Sequence, residues 1–353
     1  MKIRKVLEKG SKRIKSKDLN LYEKKQFYWK FYSKPSRTSR NIIDLYLKYD
    51  NLNLLVDIKN KVFLKGFINS NNQISGERIK FLPSGKELAR GGFSIFAEDL
   101  KINTSLNKNS WDICYKNTSG TKTYLYSIDK IHLEQEEKFK IVKKFKENFK
   151  NIIQNLEKDI KNNFEIKYLA LYILIKTKIR VGNYHYYLQT KHMGLTTLKK
   201  RNIILLKNNL VEFNFIGKDG VPQNIIQEFP EYIILHLKEL LKNKKQNDFI
   251  FITKNNLPLH SEVFSNILFK YTKIHFYPHI IRSYYADSEC EKFLRKEKKI
   301  TKEIFNKKLN EIALNLGHKK YNKKKKVWEV SSKVTIDSYI YPKLIEKIKD
   351  KIK

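Results

Sequence analysis

The chain has 353 residues, too many for one small core and enough for a large folded unit beside a smaller one. Lys and Arg total 73 against 36 Asp and Glu, a formal charge of +37, and an excess of that size answers a polyanion, with nucleic acid foremost. Cys114 and Cys290 stand far apart with no CxxC or Cys/His ligand spacing, which argues against a disulfide framework and a zinc site and fits a reducing compartment. The N-terminal residues lack the apolar stretch of a signal peptide, and the longest apolar run, 168–175, falls far short of a membrane span, so the expectation is a protein neither secreted nor membrane-embedded. Lys, Asn and Ile are abundant throughout, as an AT-rich genome would impose on any protein, but that bias does not make acidic residues scarce.

In chain order, residues 1–48 are dense in Lys and Arg with scattered aromatics such as Tyr22, Trp29 and Phe31, and read as a basic extension, part helix and part flexible. Residues 49–134 change to short β-like runs (LLVDI, KVFLKGFI, GFSIFA, TYLYSI) between Asn, Ser, Gly and Pro turn signals, which predicts a small β-rich domain. From 135 to the end the pattern becomes helical. Val142, Phe145, Phe149, Ile152, Ile153, Leu156 and Ile160 recur at three- and four-residue intervals on a Lys/Glu background, the mark of an amphipathic helix. Residues 164–177 are apolar nearly all round, as in a helix buried within a larger helical domain. The runs 202–206, 210–216 and 223–229, joined by KNN and GKDG, predict a three-stranded antiparallel sheet. Helices resume after Pro230, with Ser261 and Thr301 as candidate N-caps. The expected fold class is α+β: a β-rich N-terminal domain followed by a mainly helical one that holds a small sheet.

Several basic residues stand where chemistry could use them. Arg180 lies at a helix end beside Val181 and Gly182, where it could face a phosphate or simply cap the helix dipole. Lys218 sits in FIGKDG at a hairpin tip whose Gly217 and Gly220 suit positive φ. His279 and Arg282, in PHIIR, share one helical face; His318 ends a helix in LGH; and SYIYP, 338–342, offers Tyr339 and Tyr341. Singly each is ordinary, and the ordered set is the signal. Attack of a tyrosine oxygen on a phosphodiester builds negative charge on a crowded phosphorus, which fixed cations must offset. Two arginines can fork onto the nonbridging oxygens, a histidine can donate another hydrogen bond, and a lysine can protonate the departing 5′ oxygen, with no metal required.

On these residues the sequence resembles the type IB DNA topoisomerases of the poxvirus and bacterial kind, and more distantly the tyrosine recombinases. The segments carrying the resemblance are RVGN at 180–183, GLTTLKKRNI from Gly194, and NTSGTKTYLYSIDKIH at 117–132, in which Gly, a basic residue (Lys122), Tyr-x-Tyr and a later His follow one another. The resemblance implies Arg180, Lys218, Arg282 and His318 as the charge-stabilising and proton-donating set, Tyr339 as nucleophile, and Lys122, Tyr124, Tyr126 and Tyr186 as DNA contacts. Tyr124 and Tyr126 could equally be a strand face packed on its own domain, and His279 matches no required position. The spacing from His318 to Tyr339 is long for the family, and the basic stretch KKYNKKKKVWEV between them reads as an inserted hairpin or loop that leaves Tyr321 or Tyr341 as alternative nucleophiles. The implied protein is a monomeric clamp on double-stranded DNA. It would relax supercoils through a 3′-phosphotyrosyl intermediate with no cofactor, metal or ATP, and would act inside a cell or virion where its DNA lies. The rival readings are a tyrosine recombinase or integrase and a basic architectural protein without catalysis.

Overall fold

A computed structural model describes residues 7–104, 111–297 and 299–352. The chain divides into two compact units, Met1–Glu136 and Glu137–Lys353. In the first, strands β1 (Lys12–Ile14), β2 (Leu21–Lys24) and β3 (Trp29–Ser33) precede helix α1 (Arg37–Lys48), and β4 (Phe67–Ile68) and β5 (Ile74–Ser75) complete an antiparallel sheet of order β3-β2-β1-β4-β5. Ser36 caps α1 by accepting from the Ser39 amide at 3.1 Å, and the helix buries Ile42, Ile43 and Tyr46 at helical spacing. A second antiparallel sheet, β6-β7-β8, comprises Glu98–Ile102, Ile113–Lys116 and Lys122–Leu125.

Residues 12–48 therefore do not form an extension. Ile14, Leu21, Ile42, Ile43 and Tyr46 share one core with Leu55, Leu64, Ile79, Phe93 and Ile113. Even one of the basic residues serves the fold: Arg13 is buried, paired with Asp57 at 2.5 Å and donating to the Leu64 carbonyl at 2.9 Å. Three- to five-residue strands whose outer faces carry Lys and exposed aromatics look like a basic tail in sequence, because each buries at most one apolar residue.

Helix α2 (Ile128–Asn162) carries the chain into the second unit. It starts well before the periodic apolar run, with Asp129 in the first turn offsetting the N-terminal dipole, and buries Phe139, Val142, Phe145, Ile152, Leu156 and Ile160. Helix α3 (Ile166–Thr177) is buried on nearly every side. After α4 (Tyr184–Thr190) come β9 (Ile203–Leu205), β10 (Leu210–Ile216) and β11 (Pro222–Glu228), the expected antiparallel sheet with β10 in the middle. Helices α5 (Glu231–Lys242), α6 (Ser261–Thr272), α7 (Ile280–Lys296) and α8 (Lys302–Asn315) follow. Thr301 caps α8 by accepting from the Ile304 amide at 3.2 Å, whereas Ser261 is already the first helical residue and His260 occupies the cap position without a side-chain bond. The basic stretch after His318 is a hairpin of β12 (Lys319–Asn322) and β13 (Val327–Val330), and α9 (Lys333–Tyr339) and α10 (Pro342–Lys349) end the chain. Two apolar cores organise this unit. One gathers α2, α3, α5, α6 and the sheet; the other packs α8, α9 and α10 against the later half of α7. Helix α7 contributes Ile280 and Ile281 to the first core and Ala286, Cys290 and Phe293 to the second, so Arg282 stands where the two meet.

Candidate active site

Arg180 is set by a close approach of two backbone segments. After α3 ends at Lys178 in the left-handed conformation, residues 180–182 run beside 194–196: the Leu195 amide donates to the Arg180 carbonyl at 2.8 Å and the Thr196 amide to Val181 at 2.7 Å. Both glycines of the motif are needed for this contact. A Cβ on Gly194 would lie 2.5 Å from the Arg180 carbonyl oxygen and 2.5 Å from the Gly182 nitrogen. Gly182 itself sits at φ +98°, with the Thr196 and Thr197 hydroxyls where its side chain would be. The spacing RVGN…GLTT thus encodes a backbone clasp that presents the half-buried Arg180 to a cavity.

That cavity, of about 340 Å³, is lined by Arg180, Lys218, Arg282 and His318 among others. Lys218 is exposed at the tip joining β10 to β11; Gly217 there is extended, and the left-handed positions fall on Asp219 (φ +61°) and Gly220 (φ +75°). Arg282, only 4 % exposed, donates from Nη1 to the Lys178 carbonyl and from Nη2 to the Leu316 carbonyl at 2.7 Å. Burial pushes its guanidinium down to about 10, still cationic at neutral pH. Its Nε is buried without a partner among the described residues. Arg282 Nη2 also lies 3.1 Å from His318 Nε2. Arginine only donates, so Nε2 accepts and the imidazole proton resides on Nδ1, which is 2.8 Å from the Thr335 hydroxyl. Burial first, then the neighbouring Arg282 and Arg180, push His318 down to about 3, so the ring is neutral.

Tyr339, the last residue of α9, is 2 % exposed and is not among the residues that line this cavity, but it packs against two that are. Its ring centroid is 4.9 Å from the His318 ring, 5.3 Å from the His279 ring and 5.3 Å from the Arg282 guanidinium carbon. Burial would raise its phenol pKa, but the charges and hydrogen bonds of Arg282 and Arg180 outweigh that and lower it below the usual tyrosine value. The other two tyrosines lie elsewhere. Tyr341 packs on Phe139 with centroids 5.1 Å apart and donates its amide to Asp287 at 3.0 Å, while Tyr321 is exposed on β12 against Trp328.

The four expected DNA contacts are not gathered at this cavity. Lys122 and Tyr124, 44 % exposed, lie on β8 of the first unit with Tyr126 just after it; Tyr124 pairs across the sheet with Cys114, and its ring is 6.3 Å from Trp111. Tyr186 is exposed on α4, and its hydroxyl is 3.5 Å from His192, a residue that also approaches Gly220 of the Lys218 turn. Sequence reasoning missed Thr335 and Lys138. Lys138 Nζ donates to the Ser338 carbonyl and lies 5.4 Å from the Tyr339 ring, and its burial lowers its proton affinity against the pull of Tyr339. Lys138 is one of many lysines on α2 and Thr335 one polar residue in a short helix, so no spacing marked either. Among the described residues no group of three or more His, Cys, Asp or Glu side chains could hold a metal ion, and no helix is long and apolar enough to cross a membrane.

Comparison with solved structures finds the XerH site-specific recombinase bound to its difH substrate before cleavage, at 16% identity over 56% of this chain and 51% of that chain, with a TM-score of 0.34. The same recombinase after cleavage on a palindromic difH substrate matches at 15% identity over 48% of this chain and 45% of that one, with a TM-score of 0.31. The chain thus spans about half the length of these recombinases. A comparison with curated protein sequences found no match. The family model described as eukaryotic DNA topoisomerase I, catalytic core, matches residues 128–352, which take in Arg180, Lys218, Arg282, His318 and Tyr339. By that match the chain belongs to the eukaryotic DNA topoisomerase I catalytic-core family.

Proposed function

We propose that this chain is a type IB DNA topoisomerase, acting as a monomer on intracellular duplex DNA, that relaxes supercoils by transient cleavage of one strand. The observation that carries the reading is the convergence of Arg180, Lys218, Arg282 and His318 on one cavity, with Tyr339 packed against His318 and Arg282. The Tyr339 oxygen attacks the phosphorus, the bond to the 5′ oxygen breaks, and a 3′-phosphotyrosyl ester forms. The phenol proton passes to solvent, and the Lys218 ammonium protonates the leaving 5′ oxygen. Arg180 and Arg282, which lower the phenol pKa at rest, exchange the tyrosine oxygen for the nonbridging phosphate oxygens as charge builds there. The unpartnered Arg282 Nε supplies one more donor for that purpose. Once the phosphate takes the Arg282 fork and frees His318 Nε2, the ring's one proton passes by way of solvent from Nδ1 to Nε2; Nε2–H then donates to a phosphate oxygen, and the Thr335 hydroxyl turns to donate to the bare Nδ1. Religation is the reverse sequence, and the ester conserves the energy it needs.

Plasmid relaxation in EDTA without nucleotide, followed by mapping of the trapped adduct, tests this reading. The expected result is relaxation of both signs of supercoil and a DNA-linked peptide containing Tyr339. Tyr339→Phe, which keeps the ring and removes the nucleophilic oxygen, should bind DNA and form no adduct. Relaxation that requires magnesium, or an adduct on Tyr341, would overturn it.

A further inference from the structure

The hairpin between His318 and Tyr339 has features that a solvated loop does not need. Its strands are in full antiparallel register from Lys319↔Val330 to Asn322↔Val327. Its base is closed at the cavity itself, where the Ser331 amide donates to the His318 carbonyl at 3.0 Å and Lys319 Nζ donates to the Pro222 carbonyl at 2.9 Å. Lys319, Lys320 and Ser331 line the cavity. Midway up, Tyr321 and Trp328 pack edge to face with centroids 5.4 Å apart, and at the tip Asn322 Oδ1 accepts from the Lys324 and Lys325 amides at 3.1 Å each. These contacts hold in fixed, exposed positions a tip made of Lys323, Lys324, Lys325 and Lys326. Lys325 is paired with Glu329 at 3.1 Å, the hairpin's single acidic residue. Such a concentration of like charge opposes its own ordering, and it becomes favourable when a polyanion lies alongside.

We propose that this hairpin is a stiff cationic arm that grips the backbone of duplex DNA on one flank of the phosphate held in the cavity. The proposal rests on the topoisomerase reading for the position of that phosphate. Strands of four residues at about 3.3 Å each carry the tip roughly 13 Å from the cavity mouth. That distance equals the rise of about four base pairs at about 3.4 Å each, so the tip meets phosphates outside the cleaved step.

The test uses the full chain and a short duplex carrying a cleavage site. Changing Lys323, Lys324 and Lys326 to Gln leaves the Lys325–Glu329 pair and the cavity intact. The log–log dependence of affinity on salt should then flatten by up to about 2.7, since each phosphate contact contributes about 0.9. The protected footprint should shorten on one side only, while single-turnover cleavage at saturating enzyme keeps its wild-type rate. Glu329→Gln, which frees Lys325, should shift the slope the other way by up to about 0.9. Unchanged slope and footprint in the triple variant would overturn the proposal. A wild-type protein that forms no covalent adduct would instead overturn the reading of the activity, and the slope comparison would still decide whether the arm contacts DNA.

Discussion

Thr335→Val isolates the group that sets the His318 proton. The residue is fully buried, valine has nearly the same shape, and the substitution removes only the hydroxyl that meets His318 Nδ1 at 2.8 Å. A buried imidazole nitrogen left without a partner costs about 1–3 kcal/mol. In the resting state this appears as lost stability. In the transition state, where the hydroxyl must donate so that Nε2–H can face the phosphate, only the part of the loss not already suffered at rest slows cleavage, so the rate falls by at most roughly 150-fold. The assay is single-turnover cleavage of a duplex whose cleaved end dissociates, run beside a binding isotherm, and affinity for DNA should stay within twofold of wild type. Thr335→Ser supplies the control: it keeps the hydroxyl and loses one methyl, at about 0.8 kcal/mol of stability, with cleavage near the wild-type rate. A cycle with His318→Asn completes the argument, because the double variant should be no slower than His318→Asn alone. Additive losses, or a Thr335→Val enzyme that cleaves at full speed, would show that the hydroxyl does not act through the histidine.

Lys218→Ala should slow cleavage of an ordinary strand yet be largely rescued when sulfur replaces the leaving 5′ oxygen, whose departure then needs no proton; equal damage on both substrates would leave Lys218 a positioning role only. Gly194→Ala should lower the melting temperature and cleavage together, because its Cβ would strike the Arg180 carbonyl at 2.5 Å and push the arginine from the cavity; an unimpaired enzyme would mean that the clasp yields at no cost. His318 has its folded pKa depressed to about 3, so between roughly 6.5 and 3 the unfolded chain binds one more proton than the folded one. Stability contributed by the neutral ring is complete above that window and falls as pH drops through it, by about 1.4 kcal/mol per pH unit. Denaturant titrations should show a shallower acid dependence in His318→Gln than in the wild type, and identical slopes would mean that the ring is protonated in the fold.

What the sequence revealed, and what it hid, follows from the range of each signal. The buried character of α3, the Thr301 cap and the 203–228 sheet are set by neighbours within a few residues, and each was legible. The order Arg180, Lys218, Arg282, His318, Tyr339 was legible as a pattern, but their meeting depends on α7 joining two cores, which no local periodicity reports. The lysines that cover the outer faces of β1 to β3 disguised three short strands as a basic tail. The first turns of α2 carry too few apolar residues to announce a helix. Lys138 was invisible because its contact with the Ser338 carbonyl spans most of the second unit's length and belongs to a residue type found throughout the chain.

The near-complete burial of Tyr339 bears on what the protein ignores. A phenol 2 % exposed and engaged by two arginines offers almost nothing to a small phosphodiester diffusing past. As the proposed nucleophile it would have to give up those partners to reach phosphorus, and a single free phosphate repays only part of that loss. A long polyanion, anchored by contacts remote from the reacting atom, can meet the whole cost with binding energy gathered elsewhere. On the proposed mechanism, selectivity for a polymer over its fragments then arises without any pocket that measures length: a nucleophilic Tyr339 is sheathed, and only a substrate held at many points has the leverage to unsheathe it.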